Sequence, residues 1–207
     1  ATDIKVRDAA DFLGPRPVSD HLQGALNLRS AVRVMPGVAG YDMVLSDMSA
    51  HLNEITLTGN GSLAGVLTPQ PTFSVTFSSS LVTLPQLLKT ISPEWVHPQL
   101  PAVLAERRID GKVQVVKATL TGSTATGPQL SATGEFHVQE GHALIGRDHV
   151  AATDLAAVIL VETGRVRISK IAGNYGTMQL TDGKAEVSFL DAGPWLDLEM
   201  TSEMGAA

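Results

Sequence analysis

The sequence contains no cysteine. Disulfide staples and thiolate metal sites are therefore excluded, whatever the compartment. Aromatic residues make up only 4% of the 207 residues, although 43% are hydrophobic, so any apolar surface is aliphatic. Charged residues amount to 17%, against roughly 25% in an average soluble domain. The net charge is −6, and Lys and Arg are scattered rather than clustered. A nucleic-acid surface needs a basic stripe to displace counterions from phosphate, so no nucleic-acid partner is expected. No run approaches the roughly 18 apolar residues of a membrane-spanning helix, and no signal peptide is present. Ala1 stands where Met would begin a chain. This suggests a processed chain or an excised fragment, which leaves room for a targeting or anchoring segment outside it.

What the chain does have is alternation. Leu26, Leu28, Val32 and Val34 share one parity, and Asn27, Arg29 and Arg33 take the other. That is the pattern of a strand with one apolar and one polar side. Val44, Met48, Ala50 and Leu52 alternate against Asp47, His51 and Asn53, and Phe73, Val75 and Phe77 against Ser74, Thr76 and Ser78. Further on, the same rhythm runs through Val113 and Val115, Phe136 and Val138, Leu155 to Val161, Val166 and Ile168, Ala185 to Phe189, and Leu196 to Met200. Gly59-Asn60-Gly61 predicts a hairpin turn, since Asn-Gly tolerates the positive φ of a type I′ turn. Glu140-Gly141 predicts another turn, and Gly173-Asn174 with Gly176 a further break. Turn signals recurring in this way predict an all-β meander of roughly ten to twelve strands.

One stretch departs from the rhythm. Leu84, Leu87, Leu88 and Ile91 recur at the spacing of one helix face. Pro85 sits in the first turn, where a missing N–H costs little, and Ser92-Pro93 stops the helix. Leu100, Val103 and Leu104 mark a second short turn behind Pro101. Ile4 to Leu13 reads as a strand end running into a helical turn capped by Asp8. The sequences on either side of the insert match in order: 23–34 with 110–121, 44–52 with 151–159, and 71–79 with 194–202. The layout is two tandem β units, 1–80 and 109–204, with a helical insert at 81–108 that starts the second.

Strands of this kind make a sheet whose aliphatic side must meet a second sheet, a helix or a ligand. The helical segments are too short to cover ten strands. A second sheet would give a closed sandwich; a ligand with alkyl tails would give an open groove. Abundant Val, Leu, Ile and Ala with few aromatics suits an alkyl-chain track better than an aromatic-pinned core. The expected fold is mainly β, an antiparallel, strongly twisted meander forming an open groove or half-barrel, with one or two short helices. The residues expected to contact lipid are Phe73, Val75, Phe77, Leu155, Ala157, Ile159, Val187 and Phe189.

The segments LTGNGSLAGVLTPQPTFSVTFSSS (57–80), LPQLL (84–88), IDGKVQVVKATLTG (109–122), LSATGEFHVQEGHALI (130–145) and ISKIAGNYGTMQLTDGKAEV (168–187) together resemble the AsmA-like family of Gram-negative envelope proteins. The resemblance covers nearly the whole chain, through short motifs. It implies an elongated β groove with a hydrophobic interior, located in the periplasm, that carries phospholipid between inner and outer membranes or serves outer-membrane assembly. It also implies inner- and outer-membrane protein partners and a tether to the inner membrane. The membrane anchor usual in the family is absent from this sequence. The alternative reading is a closed sandwich or solenoid acting as a structural or adhesive envelope module.

Catalytic chemistry has little to stand on. His137, His142 and His149 fall close together, but no helical pair or closed ligand spacing links them, so they read as surface histidines and no metal is expected. Ser78-Ser79-Ser80 has no G-x-S-x-G around it and reads as a strand edge. Gly59, Gly61 and Gly65 do not make the dinucleotide fingerprint, and no β-α-β unit follows, so no cofactor is expected. Glu106, Arg107, Arg108 and Asp110 read as a solvated hinge, with contact to an anionic headgroup as the alternative. Trp95, between Pro93 and Pro98, is a buried corner residue or an interfacial anchor. No enzyme activity is expected, and no catalytic residue is assigned.

Overall fold

A computed structural model describes residues 4–5, 25–38, 40–90, 100–123, 129–146, 148–188 and 195–204. In chain order the elements are β1 (Ile4–Lys5), β2 (Ala25–Gly37), β3 (Gly40–Leu52), β4 (Ile55–Ala64), β5 (Thr72–Ser79), β6 (Val82–Thr83), α1 (Leu84–Thr90), α2 (Leu100–Glu106), β7 (Asp110–Ser123), β8 (Gln129–Ile145), β9 (Val150–Glu162), β10 (Arg165–Tyr175), β11 (Met178–Ser188) and β12 (Trp195–Met204). The fold is mainly antiparallel β with two short helices, as the alternation predicts. The strand order is β1-β2-β3-β4-β5-β7-β8-β9-β10-β11-β12, with β6 paired to β7. It is an open sheet, not closed into a barrel. The Ile4–Leu13 turn beyond Lys5, Ile91 to Pro93 and Trp95 lie outside the described residues.

Helix α1 starts where its sequence says it should. The Thr83 N–H donates to Gln86 Oε1 at 2.8 Å, and the Gln86 N–H donates to Thr83 Oγ1 at 3.4 Å. This is a reciprocal capping box, and it satisfies two donors that the helix leaves orphaned. Helix α2 ends on Arg108, at φ 48°, with the Ile109 N–H donating to Leu104 O at 3.0 Å. Arg107 then ties the end of α2 to β8: its guanidinium donates to Gly146 O at 2.7 Å, and its carbonyl accepts from Leu144 N at 2.7 Å.

Two compact units make up the chain: unit 1 is Ala1–Ser80 with Val115–Gly134, and unit 2 is Leu81–Gln114 with Glu135–Ala207. In each, the buried apolar side chains are small and few. Among the described residues they are Ala50, Leu52, Ile55 and Ala118 in unit 1, and Val82, Ala152, Leu180 and Ala185 in unit 2. Four of the eight are alanines. A face-to-face sandwich core would need interdigitated large aliphatics instead.

Three predicted turns are not turns. Gly59-Asn60-Gly61 lies inside β4, Glu140-Gly141 inside β8 and Gly173-Asn174 inside β10. The expected break at Gly176, φ 58°, is a turn, and the chain also reverses at Asn53, φ 55°, and at Thr163-Gly164, with Gly164 at φ 71°. The misread glycines have another job, which is to let neighbouring backbones approach at bulges. The β3–β4 register slips between Leu45 and Met48, where Asp47 takes φ 51°. The β9–β10 register slips twice, at Lys170 and near Asp154, both at φ 53°. An extra residue in one strand bends it and flips the parity beyond. This also corrects the reading of Val44: it pairs with Ser62 on the polar side, while Met43 and Leu45 join Met48 and Ala50 on the apolar side.

Candidate functional site: the apolar sides of the two units

Residues directly opposite in an antiparallel ladder project from the same side. In unit 1 one row runs Val32, Leu45, Gly61, Val75 and Leu120 across β2, β3, β4, β5 and β7. The next runs Val34, Met43, Leu63, Phe73 and Gly122. A third runs Met48, Gly59, Phe77 and Ala118. The three rows form one contiguous aliphatic surface across five strands, roughly 19 Å wide at the usual strand spacing. Gly61 lets its flanking side chains lean inward, since a Cβ there would meet Val75 Cγ2 at 3.3 Å and Leu45 Cδ1 at 3.4 Å. The surface is not covered at β2, where Leu28, Val32 and Val34 are 49%, 55% and 55% exposed. Phe73, Val75 and Phe77 are half-buried within it.

The reverse side of unit 1 is a hydroxyl ladder. Ser49, Thr58 and Ser78 form one row, and Asn60, Thr76 and Thr119 the next. The Thr58 and Ser78 hydroxyls lie 3.0 Å apart, as do those of Thr76 and Thr119. A shallow depression of about 560 Å³ lies here, lined by Asp47, Ser49, Thr58, Asn60, Thr76 and Ser78, with Lys117.

Unit 2 repeats the apolar side. Val161, Val166 and Val187 form one row across β9, β10 and β11, and Ile159, Ile168 and Ala185 the next; the register carries these rows on to positions 196 and 198 of β12. Ile159 and Val187 are thus brought into adjoining rows, and Leu155 and Ala157 share their parity on β9. All four are half-buried. Leu155 lies against two glycines: a Cβ on Gly141 would sit 2.9 Å from Leu155 Cβ, and one on Gly173 would sit 3.0 Å from Leu155 Cδ2. Phe189 lies outside the described residues.

The reverse side of unit 2 is charged. Arg167 Nη2 donates to Glu162 Oε2 at 2.6 Å, and Arg165 Nε pairs with Glu186 Oε1 at 3.1 Å. That hydrogen bond from Arg167 holds the Glu162 carboxyl below its ordinary pKa, and Glu162 raises that of Arg167. A depression of about 250 Å³ on this side is lined by Arg167, Ser169, Lys184, Glu186, Asp197 and Glu199.

The other sequence candidates are taken up by local bonds. His137 Nε2 lies 2.8 Å from Glu135, His51 Nδ1 lies 3.1 Å from Thr56 Oγ1, and His149 faces Glu106 at 4.0 Å. Ser79 Oγ accepts from Val115 N at 2.9 Å and Ser80 Oγ from Thr56 N at 3.2 Å. The serine run is thus the end of β5, a strand with β4 on one side and β7 on the other, and not a sheet edge. Comparison with protein-family models, curated proteins and solved structures finds no match.

Sequence reasoning found the β5 residues but not their partners Met43, Leu45, Leu63 and Leu120. Leu63 and Leu120 could have been placed by extending the β5 alternation across the ladder. Met43 and Leu45 could not, because the bulge at Asp47 reverses their parity.

Proposed function

We propose that this chain is a periplasmic segment of an AsmA-like protein that holds the acyl chains of phospholipid on its apolar strand sides, in inter-membrane lipid transport or outer-membrane assembly. In this reading it works by burial alone, with no bond chemistry. Each methylene moved from water onto the surface contributes about 0.8 kcal/mol, so a long acyl chain lying along one row is held firmly without any polar anchor. Tethering to the inner membrane and contacts with membrane proteins at both ends belong to the same reading.

One observation carries it. Two adjoining rows of the apolar side of unit 1 run over five strands and leave Val32 and Val34 about half exposed. Exposed apolar patches of this continuity mark interaction surfaces in soluble proteins. The two depressions described above are lined mainly by polar side chains, so the lipid chain is taken to lie along an open surface rather than in an enclosed cavity. The test is mass spectrometry of an organic extract of the protein, purified without detergent from a Gram-negative host. Co-purifying phospholipid in stoichiometric amount is the expected result. A clean extract would overturn the reading and turn it toward a structural or adhesive envelope module.

A further inference from the structure

We infer that copies of this chain associate head to tail, with the β12 edge of one copy pairing antiparallel with the β2 edge of the next. The inference is independent of lipid binding. Among the described residues β2 has β3 on one side, and on the other only the two-residue β1, opposite Ala25 and Leu26. β12 pairs with β11 alone. Each edge therefore offers a row of backbone N–H and C=O groups to a further strand.

The two edges carry opposite charge. On the polar side β2 presents Arg29 and Arg33, and β12 presents Asp197 and Glu199; all four are exposed and none joins an ion pair among the described residues. Asp197 has Glu186 as its cross-strand neighbour on β11. Like charges directly opposite are destabilising, so a cation arriving on the outer edge of β12 relieves that pair. Glu199 has Lys184 opposite it on β11, which leaves its outer side open.

Registers can be tested on both sides of the strands at once. The antiparallel register that sets Arg33 opposite Glu199 also sets Ala31 opposite Thr201 and Met35 opposite Asp197, with Asp197 diagonal to Arg33. On the other side it sets Val32 opposite position 200, a methionine, and Val34 opposite position 198, a leucine. The charged pair falls on one side and the apolar residues on the other, with Met35 and Ala31 the uncharged neighbours of Arg33. Pro36, lacking an N–H, ends the usable edge, as prolines in strands commonly do. Self-pairing of either edge is worse, since two β2 strands would oppose Arg to Arg and two β12 strands acid to acid. Charged residues on edges usually prevent pairing; here their opposite signs select one partner, this chain itself. The contact is heterologous, so it propagates unless the rotation closes a ring.

Sedimentation velocity of the whole chain at rising concentration is the test. The expected result is a sedimentation coefficient that grows with concentration and falls as salt is added, since exposed ion pairs are screened. Arg33→Glu alone and Glu199→Arg alone should each weaken association roughly tenfold, because an attractive cross-strand pair becomes a repulsive one. Mixing the two variants should restore it, since each supplies the charge the other lacks. Arg33→Gln and Glu199→Gln, with strand content checked by circular dichroism, give weaker effects of the same sign and cover the case of a reversal that fails to fold. A monomer at every concentration overturns the inference, and so do charge reversals that leave association unchanged or a mixture that does not recover it.

Discussion

The two units carry the same kind of apolar side on opposite kinds of polar side. Behind the aliphatic rows of unit 1 stand Ser49, Thr58, Thr76, Ser78 and Thr119, with the Thr58 and Ser78 hydroxyls bonded to each other and those of Thr76 and Thr119 likewise. Behind those of unit 2 stand Arg165, Arg167, Glu162, Glu186 and Lys184, and the four Arg or Lys ion pairs between described residues lie in that unit. What both keep is a bulge. In unit 1 Asp47 takes φ 51° opposite Gly59-Asn60, and in unit 2 Asp154 takes φ 53° opposite Gly173-Asn174. In each case the Asn side chain bonds the Asp residue, at the Asp47 N–H in one and at Asp154 Oδ2 in the other. The strands need the apolar rows and the crease between them. The solvated side can be built from hydroxyls or from charges without changing either.

The largest effects should come from filling the crease. A Cβ on Gly59 would run into the Thr76 carbonyl, and one on Gly173, at φ 147°, would sit 2.8 Å from Thr153 O. Backbone cannot yield as a flexible side chain can. Gly59→Ala and Gly173→Ala should each cost roughly 3–4 kcal/mol, read as a fall in the urea midpoint. Gly61→Ala is the control, since its Cβ meets only side-chain ends at 3.3–3.5 Å, and should cost less than about 1 kcal/mol. If all three behave alike, the crease is no common requirement of the units.

Next comes a charge placed on each apolar side. Val75→Asp in unit 1 and Ile159→Asp in unit 2 replace half-buried side chains, so a carboxylate can still reach water. Each should cost no more than about 2 kcal/mol and leave a folded protein. If the sides hold acyl chains, each variant should lose most of the co-purifying lipid, and the unit that loses more holds the greater part. Unfolding of either variant would mean that the side is ordinary core, and the lipid reading would fail for that unit.

The fold class was legible because period-two alternation survives everything except a bulge. Phe73–Ser78 reads correctly residue by residue, and so do the proline at Pro85 and the second helical turn at Leu100; the capping role of Thr83 was not read. Three Gly-containing pairs misled because sequence shows that a residue tolerates positive φ, not whether it spends that freedom on a turn or on a close approach. The bulges were illegible for the same reason. Their αL residues are Asp47, Asp154 and Lys170, ordinary charged residues to the eye. The matched segments 44–52 and 151–159 did align Asp47 with Asp154, so the sequence held the correspondence without revealing its geometry. The exposed aliphatic rows required register, which no local pattern supplies.

A finer effect separates the two bulges. Glycine relieves the left-handed strain at either Asp, but at about 0.5–1 kcal/mol of backbone entropy. In unit 1 the Asn60 bond goes to the Asp47 backbone N–H at 3.3 Å, so Asp47→Gly keeps it and should be neutral to slightly stabilising. In unit 2 Asn174 Nδ2 donates to the Asp154 carboxylate at 3.1 Å, so Asp154→Gly loses it. The second variant should be less stable than the first by about 0.5–1 kcal/mol relative to wild type. Equal effects would show that the side-chain bond in unit 2 contributes nothing.

The smallest effect is confined to unit 2 and appears only in acid. Arg167 holds the Glu162 carboxyl below its ordinary value of 4.5, chiefly through the hydrogen bond; desolvation opposes this, and the charges of Arg167 and Arg165 add to it. The folded state therefore binds a proton at Glu162 less readily than the unfolded chain does. Its contribution to stability is present above the unfolded pKa and is lost as pH falls through the lower folded one. Because the pair stands on the solvent side, water and salt keep that contribution small. Glu162→Gln should leave neutral stability almost unchanged and make the acid limb of the unfolding midpoint shallower. Hydrogen exchange resolved by residue should place that change in β9 and β10 and not in β3 and β4. A change spread evenly over both units would mean that charge and hydroxyl sides are not separable in the way the geometry indicates.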